Sequence, residues 1–428
     1  MKKIDLSWLE AFRTDQPHFG LERMEKLLAL RGKPQLTLPV IHIAGTNGKG
    51  STIAHLRQLL QALGLKVGVF SSPYLIDYRD QLTINGQAIS EEDLLALFDS
   101  YRPLLLEYQA DLLGLTEFEI ITAMSFDYFH QQAVDVAILE VGMGGLLDST
   151  NVCYPLLTAI TTIGLDHVAL LGDTLEKIAE QKAGIIKEKI PVLLGNIAPS
   201  AVEVIASIAQ KKTAPLDRYQ TDYQVKHLQS KEDGEVFHYQ SQLRPAVTLT
   251  TPLLGQQQTE NAALAIDLLD RYCQLQDLPL LHTTDLQTAL DQVSWPGRME
   301  ILSKEPLILI DGAHNPHAMK RLVDNLNSRY PDIPKDILFA CINTKEETTM
   351  VRQLKQVKNA QLTLTSFEDS RAIPAQRMQE LAQAENLDFQ AWQAFLKEKE
   401  NGQRMLVITG SLYFLAQVRP HLVTQETL

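Results

Sequence analysis

The segment Gly45-Thr46-Asn47-Gly48-Lys49-Gly50-Ser51 holds the densest chemistry in the chain. Its three glycines free backbone N–H groups to face an anion, Lys49 adds a positive charge on a long stem, and the Ser51 hydroxyl is a hard oxygen donor suited to Mg2+. Before it lies a short β-rich apolar run, Val40-Ile41-His42-Ile43-Ala44; after it come Ile53, Leu56, Leu59, Leu60 and Leu63 at helical spacing. A strand, a glycine-rich loop and a helix in that order make a cradle for nucleotide phosphates at the positive end of a helix. The loop departs from the strict GxxxxGK[ST] pattern. Ile43 stands where the first glycine would, and Gly50 intervenes between the lysine and the hydroxyl.

Other residues could complete such a site. Glu140 ends the apolar run Val136-Ala137-Ile138-Leu139 and is followed by Val141-Gly142-Met143-Gly144-Gly145, so it is a candidate Mg2+ ligand at the carboxyl end of a strand. Leu165-Asp166-His167 follows another apolar run and offers an imidazole near the same edge. Lys182, in the helical pattern Lys177 to Lys187, reads from its neighbours alone as an ordinary solvated charge. Farther on, Asp311 and His314 in Asp311-Gly312-Ala313-His314-Asn315-Pro316 place a carboxylate and an imidazole three residues apart at a strand end, with loop capping by Asp311 the alternative use.

The elements that must hold these groups are legible in outline. Apolar runs at Lys66 to Phe70, Val134 to Val141, Leu156 to Ile163 and Ile190 to Leu194 alternate with helical patterns such as Thr174 to Ile186, which implies crossovers and a mostly parallel sheet covered on both faces. Residues 219–251 turn polar and alternating around Lys231-Glu232-Asp233-Gly234, an antiparallel hairpin signal. A second α/β unit begins after Trp295-Pro296-Gly297, with strands expected at Leu307 to Ile310, Ile337 to Ile342, Leu362 to Thr365 and Met405 to Thr409, and with Pro316 placed to open a helix. The expected fold class is therefore α/β in two parts, residues 1–296 and 297–428. A length of 428 residues, 45% hydrophobic and 21% charged, suits a soluble, core-forming chain of two or three domains. The net charge of −13 argues against nucleic acid and anionic membrane as partners. Three scattered cysteines, Cys153, Cys273 and Cys341, give neither a disulfide framework nor a zinc pattern, and the expected location is cytoplasmic.

Taken in order, Gly45 to Ser51, Ser71-Ser72-Pro73-Tyr74, Thr116-Glu117-Phe118-Glu119, Glu140 to Gly145 with Asp148 to Asn151, Leu165 to His167 through Thr174, Lys182 to Lys187, Arg298, Asp311 to Pro316 and Thr409-Gly410-Ser411 resemble the folylpolyglutamate synthase and dihydrofolate synthase family, a branch of the Mur ligase superfamily. The likeness spans nearly the whole chain. It implies an N-terminal P-loop ATPase domain, a smaller Rossmann-like C-terminal domain, and an active site in the cleft between them. By position it implies that Gly45, Thr46, Asn47, Gly48, Lys49, Gly50 and Ser51 hold the ATP phosphates with Asn261, Arg298, Asp311 and His314, and that Ser51, Glu140 and His167 surround Mg2+. Lys182 matches a lysine that relatives carbamylate, which would make it a ligand to a second metal ion; a monovalent cation is the further ion the resemblance leaves open. Ser71, Ser72, Pro73 and Tyr74 fall on the folate side, Ser411 and Tyr413 where relatives receive glutamate, and Lys49, Arg298 and Lys345 would make the cleft positive.

The implied reaction is ATP-dependent amide ligation of L-glutamate to a folyl-(poly)glutamate through an acyl phosphate, with folate, L-glutamate and ATP as the small-molecule partners of a monomer. Catalysis falls to Lys49, Lys182, and His314 or Asp311. Dihydrofolate synthase or bifunctional activity is the alternative, and a non-catalytic paralogue the more distant one. Two departures bear on the acceptor. In Tyr78-Arg79-Asp80-Gln81-Leu82 an arginine that relatives usually carry after the Ser71 loop is displaced or absent, and Leu146 stands where many bifunctional relatives have arginine.

Overall fold

The computed structural model describes residues 6–14, 20–343, 346–399 and 402–422. Its centre is an eight-stranded sheet in the order Gln87–Ala88, Leu82–Ile84, Val67–Phe70, Val136–Glu140, Val40–Ala44, Leu157–Ile160, Val192–Leu194, Leu216–Arg218. All pairings are parallel except those made by the two short strands at the Gln87 edge. Val40–Ala44 and Val136–Glu140 are buried at every residue, as strands covered on both faces must be, and their β-branched and aliphatic side chains suit that setting. The helices Lys49–Ala62 and Gln257–Leu275 pack on one face; Glu117–Gln131 and Glu22–Leu30 bury the other. The chain leaves Val40–Ala44 for one side of the sheet and, after Val136–Glu140, continues to the other. Loops at the carboxyl ends of these neighbouring strands therefore open a crevice, the usual ligand position in open α/β sheets.

The polar stretch expected as a hairpin is a three-stranded antiparallel sheet, Tyr223–Lys231, Gly234–Ser241 and Val247–Thr251. Its inward residues Tyr223, Val225, Phe237, Tyr239 and Leu249 join the core under Gln257–Leu275. Arg244 ties it down: the guanidinium donates to both carboxylate oxygens of Asp270, at 2.9 and 2.6 Å, and to Leu281 O at 2.8 Å. The Asp270 side chain is completely buried. Arg244→Ala would strand that carboxylate, and a loss of roughly 3–5 kcal/mol is expected in urea unfolding. The Arg244→Met/Asp270→Leu double variant should recover most of it; a double variant as unstable as the single would mean that shape rather than charge holds the contact.

A six-stranded sheet follows, in the order Glu300–Lys304, Leu307–Asp311, Met405–Thr409, Lys335–Phe339, Ala360–Leu364, Asp388–Phe389, antiparallel only at its first pair. The strand expected to reach Ile342 stops at Phe339: Ala340 N–H still donates to Thr409 O at 3.2 Å, but Cys341 O turns to accept from Ile373 N–H at 3.1 Å, and Ile342 makes an isolated bridge to Ala372. Asp311 pairs with Thr409, so the turns after these two strands face the same space. Pro316 opens the helix Pro316–Arg329 as expected, with Asn315 as its cap. No helix among the described residues is long and apolar enough to cross a membrane.

Candidate active site

The phosphate loop is built by a buried strand running into a helix whose cap, Gly48, has φ +89°. All three of its glycines are enforced by neighbours, Gly45 by the Thr161 side chain. A Cβ on Gly48 would stand 2.5 Å from Asn261 Oδ1, and one on Gly50 would stand 2.6–2.9 Å from the Trp295 indole. The inserted Gly50 is thus the seat for a tryptophan from the joint between the two large sheets. The loop is also pinned from beneath: Thr46 N–H donates to Thr162 O at 2.8 Å, and the Thr161 and Thr162 hydroxyls donate to Asn47 O at 2.6 and 3.0 Å.

Lys49 Nζ donates to Gly45 O at 3.0 Å and lies 3.9 Å from Glu140 Oε1. Glu140 is not an acid on an exposed strand end: it is 6% exposed. Burial raises its carboxyl above the usual range, against the pull of Lys49, Arg298 and the Ser72 amide. A buried carboxylate with one cation at nearly 4 Å has room for a stronger electrostatic partner. Among the described residues, no three His, Cys, Asp or Glu side chains gather to hold a metal ion by themselves. The buried Ser51 hydroxyl, 3% exposed, and the Glu140 carboxylate are oxygen donors of the kind that could serve a Mg2+ ion, which would take its remaining ligands from phosphate and water.

Lys182 corrects its reading as a solvated charge, for it is 4% exposed. The turn Gly142 to Asp148 closes over its helix: Leu146 N–H donates to Gln181 O at 2.8 Å, and a Cβ on Gly145 would stand 2.9 Å from Lys182 O. Asp148 braces that turn by accepting from Met143 N–H at 2.8 Å. Burial brings the Lys182 amine down to about 7; Lys49 pushes the same way, and Asp166 and Asp148 pull back. His167, at φ +48°, is lowered by burial and by Lys182 and Lys49, with Asp166 opposing. Its Nε2 lies 3.9 Å from Asp166 Oδ1.

The second sheet supplies the opposite wall. Both Asp311 oxygens accept backbone N–H groups at 2.9 Å, from Met299 and Ala313, while Arg298 faces the carboxylate. His314 Nδ1 lies 2.8 Å from Gly312 O. A carbonyl can only accept, so Nδ1 carries the proton and Nε2 of the neutral ring keeps its lone pair. Burial lowers this imidazole, and Asp166, Arg298 and Lys49 all act on it electrostatically. Arg298 Nη1 donates to Gly312 O at 3.3 Å, and its charge also pulls down the Glu140 carboxyl.

The remaining candidates are spread over two loops, with Ser71 8% and Ser411 2% exposed. Ser71 N–H donates to Gln81 O at 3.1 Å, the Ser72–Pro73 peptide is cis, and Tyr74 packs edge-on against Tyr78 with centroids 5.5 Å apart. The displaced Arg79 is spent on its own turn, donating to both oxygens of Asp77 at 3.0 and 2.9 Å. Ser411 caps the helix Leu412–Val418, and the Arg371 guanidinium lies 3.7 Å above the Tyr413 ring centroid. Leu146 is 42% exposed. Lys345, expected to add positive charge, lies outside the described residues. Sequence reasoning gave no role in the site to Asp166, beside His167 in the same motif, nor to Trp295 or Asn315. A glycine between lysine and hydroxyl was the available signal for a bulky neighbour there.

Two family models match the chain: the Mur ligase middle domain over residues 104–269, and the Mur ligase glutamate ligase domain over residues 297–412. A dihydrofolate synthase/folylpolyglutamate synthase of Bacillus subtilis is 35% identical over 412 residues, 94% of this chain and 95% of that protein. The folylpolyglutamate synthase of Lacticaseibacillus casei is 35% identical over 406 residues, 94% of each chain. The ligand-free structure of an L. casei folylpolyglutamate synthase superposes with a TM-score of 0.86 at 33% identity, covering 97% of this chain and 98% of that one. A folylpolyglutamate synthase complex with AMPPCP and folate gives the same TM-score over 98% of both chains. The chain belongs to the folylpolyglutamate synthase and dihydrofolate synthase family of Mur ligases.

Proposed function

We propose that this ATP-dependent ligase joins L-glutamate to the γ-carboxylate of a tetrahydrofolyl-(poly)glutamate. The acceptor carboxylate attacks the γ-phosphorus of ATP, ADP leaves, and an acyl phosphate forms. The glutamate amine, having lost a proton, attacks the acyl carbon and phosphate departs. The observation that carries this reading is the pairing of two half-sites. A phosphate loop with the Lys49–Glu140 pair faces a turn whose His314 presents an unprotonated Nε2. Lys49 and Arg298 offset charge on the transferred phosphoryl group, and Glu140 and Ser51 would hold Mg2+, which when bound neutralises phosphate charge. Between the two base candidates His314 is favoured, because both Asp311 oxygens already accept backbone N–H groups.

In this reading residues 1–296 form the ATPase domain and residues 297–428 the glutamate-receiving domain, closing around the joint at Ser294 to Gly297. Such closure keeps water from a hydrolysable acyl phosphate. Ser71 to Tyr74 line the folate side, where the Ser72 amide contact with Glu140 supports their placement, and Ser411 and Tyr413 lie on the glutamate side. Both walls come from one chain, so a monomer suffices for this reading.

The B. subtilis relative carries both names, which keeps dihydropteroate as an alternative acceptor. A glutamate-incorporation assay with Mg-ATP, read by mass, separates them. Product from tetrahydrofolate alone is expected. Product from dihydropteroate would make the protein a dihydrofolate synthase or a bifunctional enzyme, and product from neither would overturn the reading.

A further inference from the structure

Asn315 is 2% exposed, and both ends of its amide are engaged. Its Oδ1 accepts from Ala318 N–H at 2.9 Å, capping the helix Pro316–Arg329, and from Asn47 Nδ2 at 3.2 Å. Its Nδ2 donates to Asn47 Oδ1 at 3.1 Å and to Asp166 Oδ2 at 3.2 Å. The two asparagines, 268 positions apart, thus form a reciprocal amide pair between the phosphate loop and the first turn of a helix on the opposite wall. Asn47 also sits 3.0 Å from His317 Nδ1 through its Nδ2. The main chain of Asn47 is held by Thr161 and Thr162 of the first wall, so its backbone belongs to one half of the crevice and its side chain to the other.

The cap does not explain why this residue is asparagine, since serine and aspartate cap helices as well. The bridge does. Only an amide can accept from Ala318 while donating to both Asn47 and Asp166; an aspartate would set a second carboxylate against Asp166, and a serine is too short to span. The residue beside it is His314, whose Nδ1 lies 2.8 Å from Gly312 O.

We propose that Asn315 is a positioning residue that reads the phosphate loop through Asn47 and thereby sets the turn carrying Asp311 and His314 over a bound nucleotide. Nucleotide phosphates fix the loop backbone, the loop fixes the Asn47 amide, and that amide together with Asp166 docks Asn315. The inference rests on the ligase reading for its consequence in turnover, though the docking itself is a matter of nucleotide and protein alone.

The test uses the full chain with Asn315→Ser, Asn47→Ala and their double variant. Asn315→Ser keeps the cap and drops the bridge, which protects the fold; thermal melting near wild type confirms that. Each single variant is expected to lower kcat about tenfold with the KM for ATP within about twofold, the loss of about 1.4 kcal/mol from the transition state. The double variant should be no slower than the slower single, because one bridge is cut twice. Asn315→Asp should be slower than Asn315→Ser. Independently of ligation, AMPPCP should slow amide hydrogen exchange over residues 313–320 in wild type and leave it unchanged in Asn315→Ser. Wild-type kcat in Asn315→Ser, a double variant with multiplied losses, or equal AMPPCP protection in wild type and variant would each overturn the proposal. A wild-type protein that fails to ligate yet shows the AMPPCP difference would overturn the ligase reading and leave this one standing.

Discussion

Lys49→Ala is expected to lower ligation roughly a thousandfold while leaving the protein folded, a loss of the size seen when a single charged group is removed from a phosphoryl-transfer site. The reason lies in what Lys49 touches. Its Nζ has one short protein partner, the Gly45 carbonyl, and a Glu140 oxygen at 3.9 Å, so the free protein makes little use of its charge. The demand for that charge arises when negative charge builds on phosphate oxygens above the loop. Little of the fold hangs on it either, since the helix Lys49–Ala62 is fixed by Ile53, Leu56, Leu59 and Leu60 in the core. The measurements are initial rates with saturating ATP and a thermal melt. A variant within tenfold of wild type, still cooperatively folded, would sink the assignment of Lys49 to the phosphates; an unfolded variant would show that the loop needs its lysine for structure.

The phosphate loop was legible because its information is local: a buried strand, glycines with a left-handed cap, and a helix follow one another within about twenty residues. The parallel sheet was legible for the same reason, through continuous apolar runs such as Val136 to Leu139. What escaped was whatever depends on residues far away in the chain. Lys182 lies among Glu180, Gln181 and Ala183, an unremarkable helix surface, and only the turn from Gly142 to Asp148 folding over it excludes water. Asn315 stands in a motif visible in the sequence, but its partners Asn47 and Asp166 are 268 and 149 positions distant. The third strand, Val247–Thr251, was absorbed into a hairpin because alternation shows a strand without showing how many neighbours it pairs with. The displaced Arg79 looked like lost folate-side charge; its pairing with Asp77 shows a residue that stiffens its own turn.

Lys182→Ala should lose most activity, and short carboxylates such as acetate or formate should restore part of it. A lysine carbamate is a carboxylate on a long stem, and its formation needs the free amine to attack CO2 with release of a proton. The site favours that reaction twice over. Burial, helped by Lys49, brings the amine to about 7, so near neutral pH about half of it is unprotonated, far more than for an exposed lysine. The product anion would then sit beside the same Lys49 that the ammonium form repels. The sign of the pH dependence follows: bicarbonate-dependent activity should rise as pH increases through about 7 and fall below it, where the protonated amine no longer reacts. Intact mass under CO2 should show an added 44 Da that disappears in the alanine variant. Full activity in Lys182→Ala, or an unmodified lysine in an enzyme turning over at its maximal rate, would remove the carbamate from the site; rescue by carboxylates would place the missing charge where the buried side chain ends.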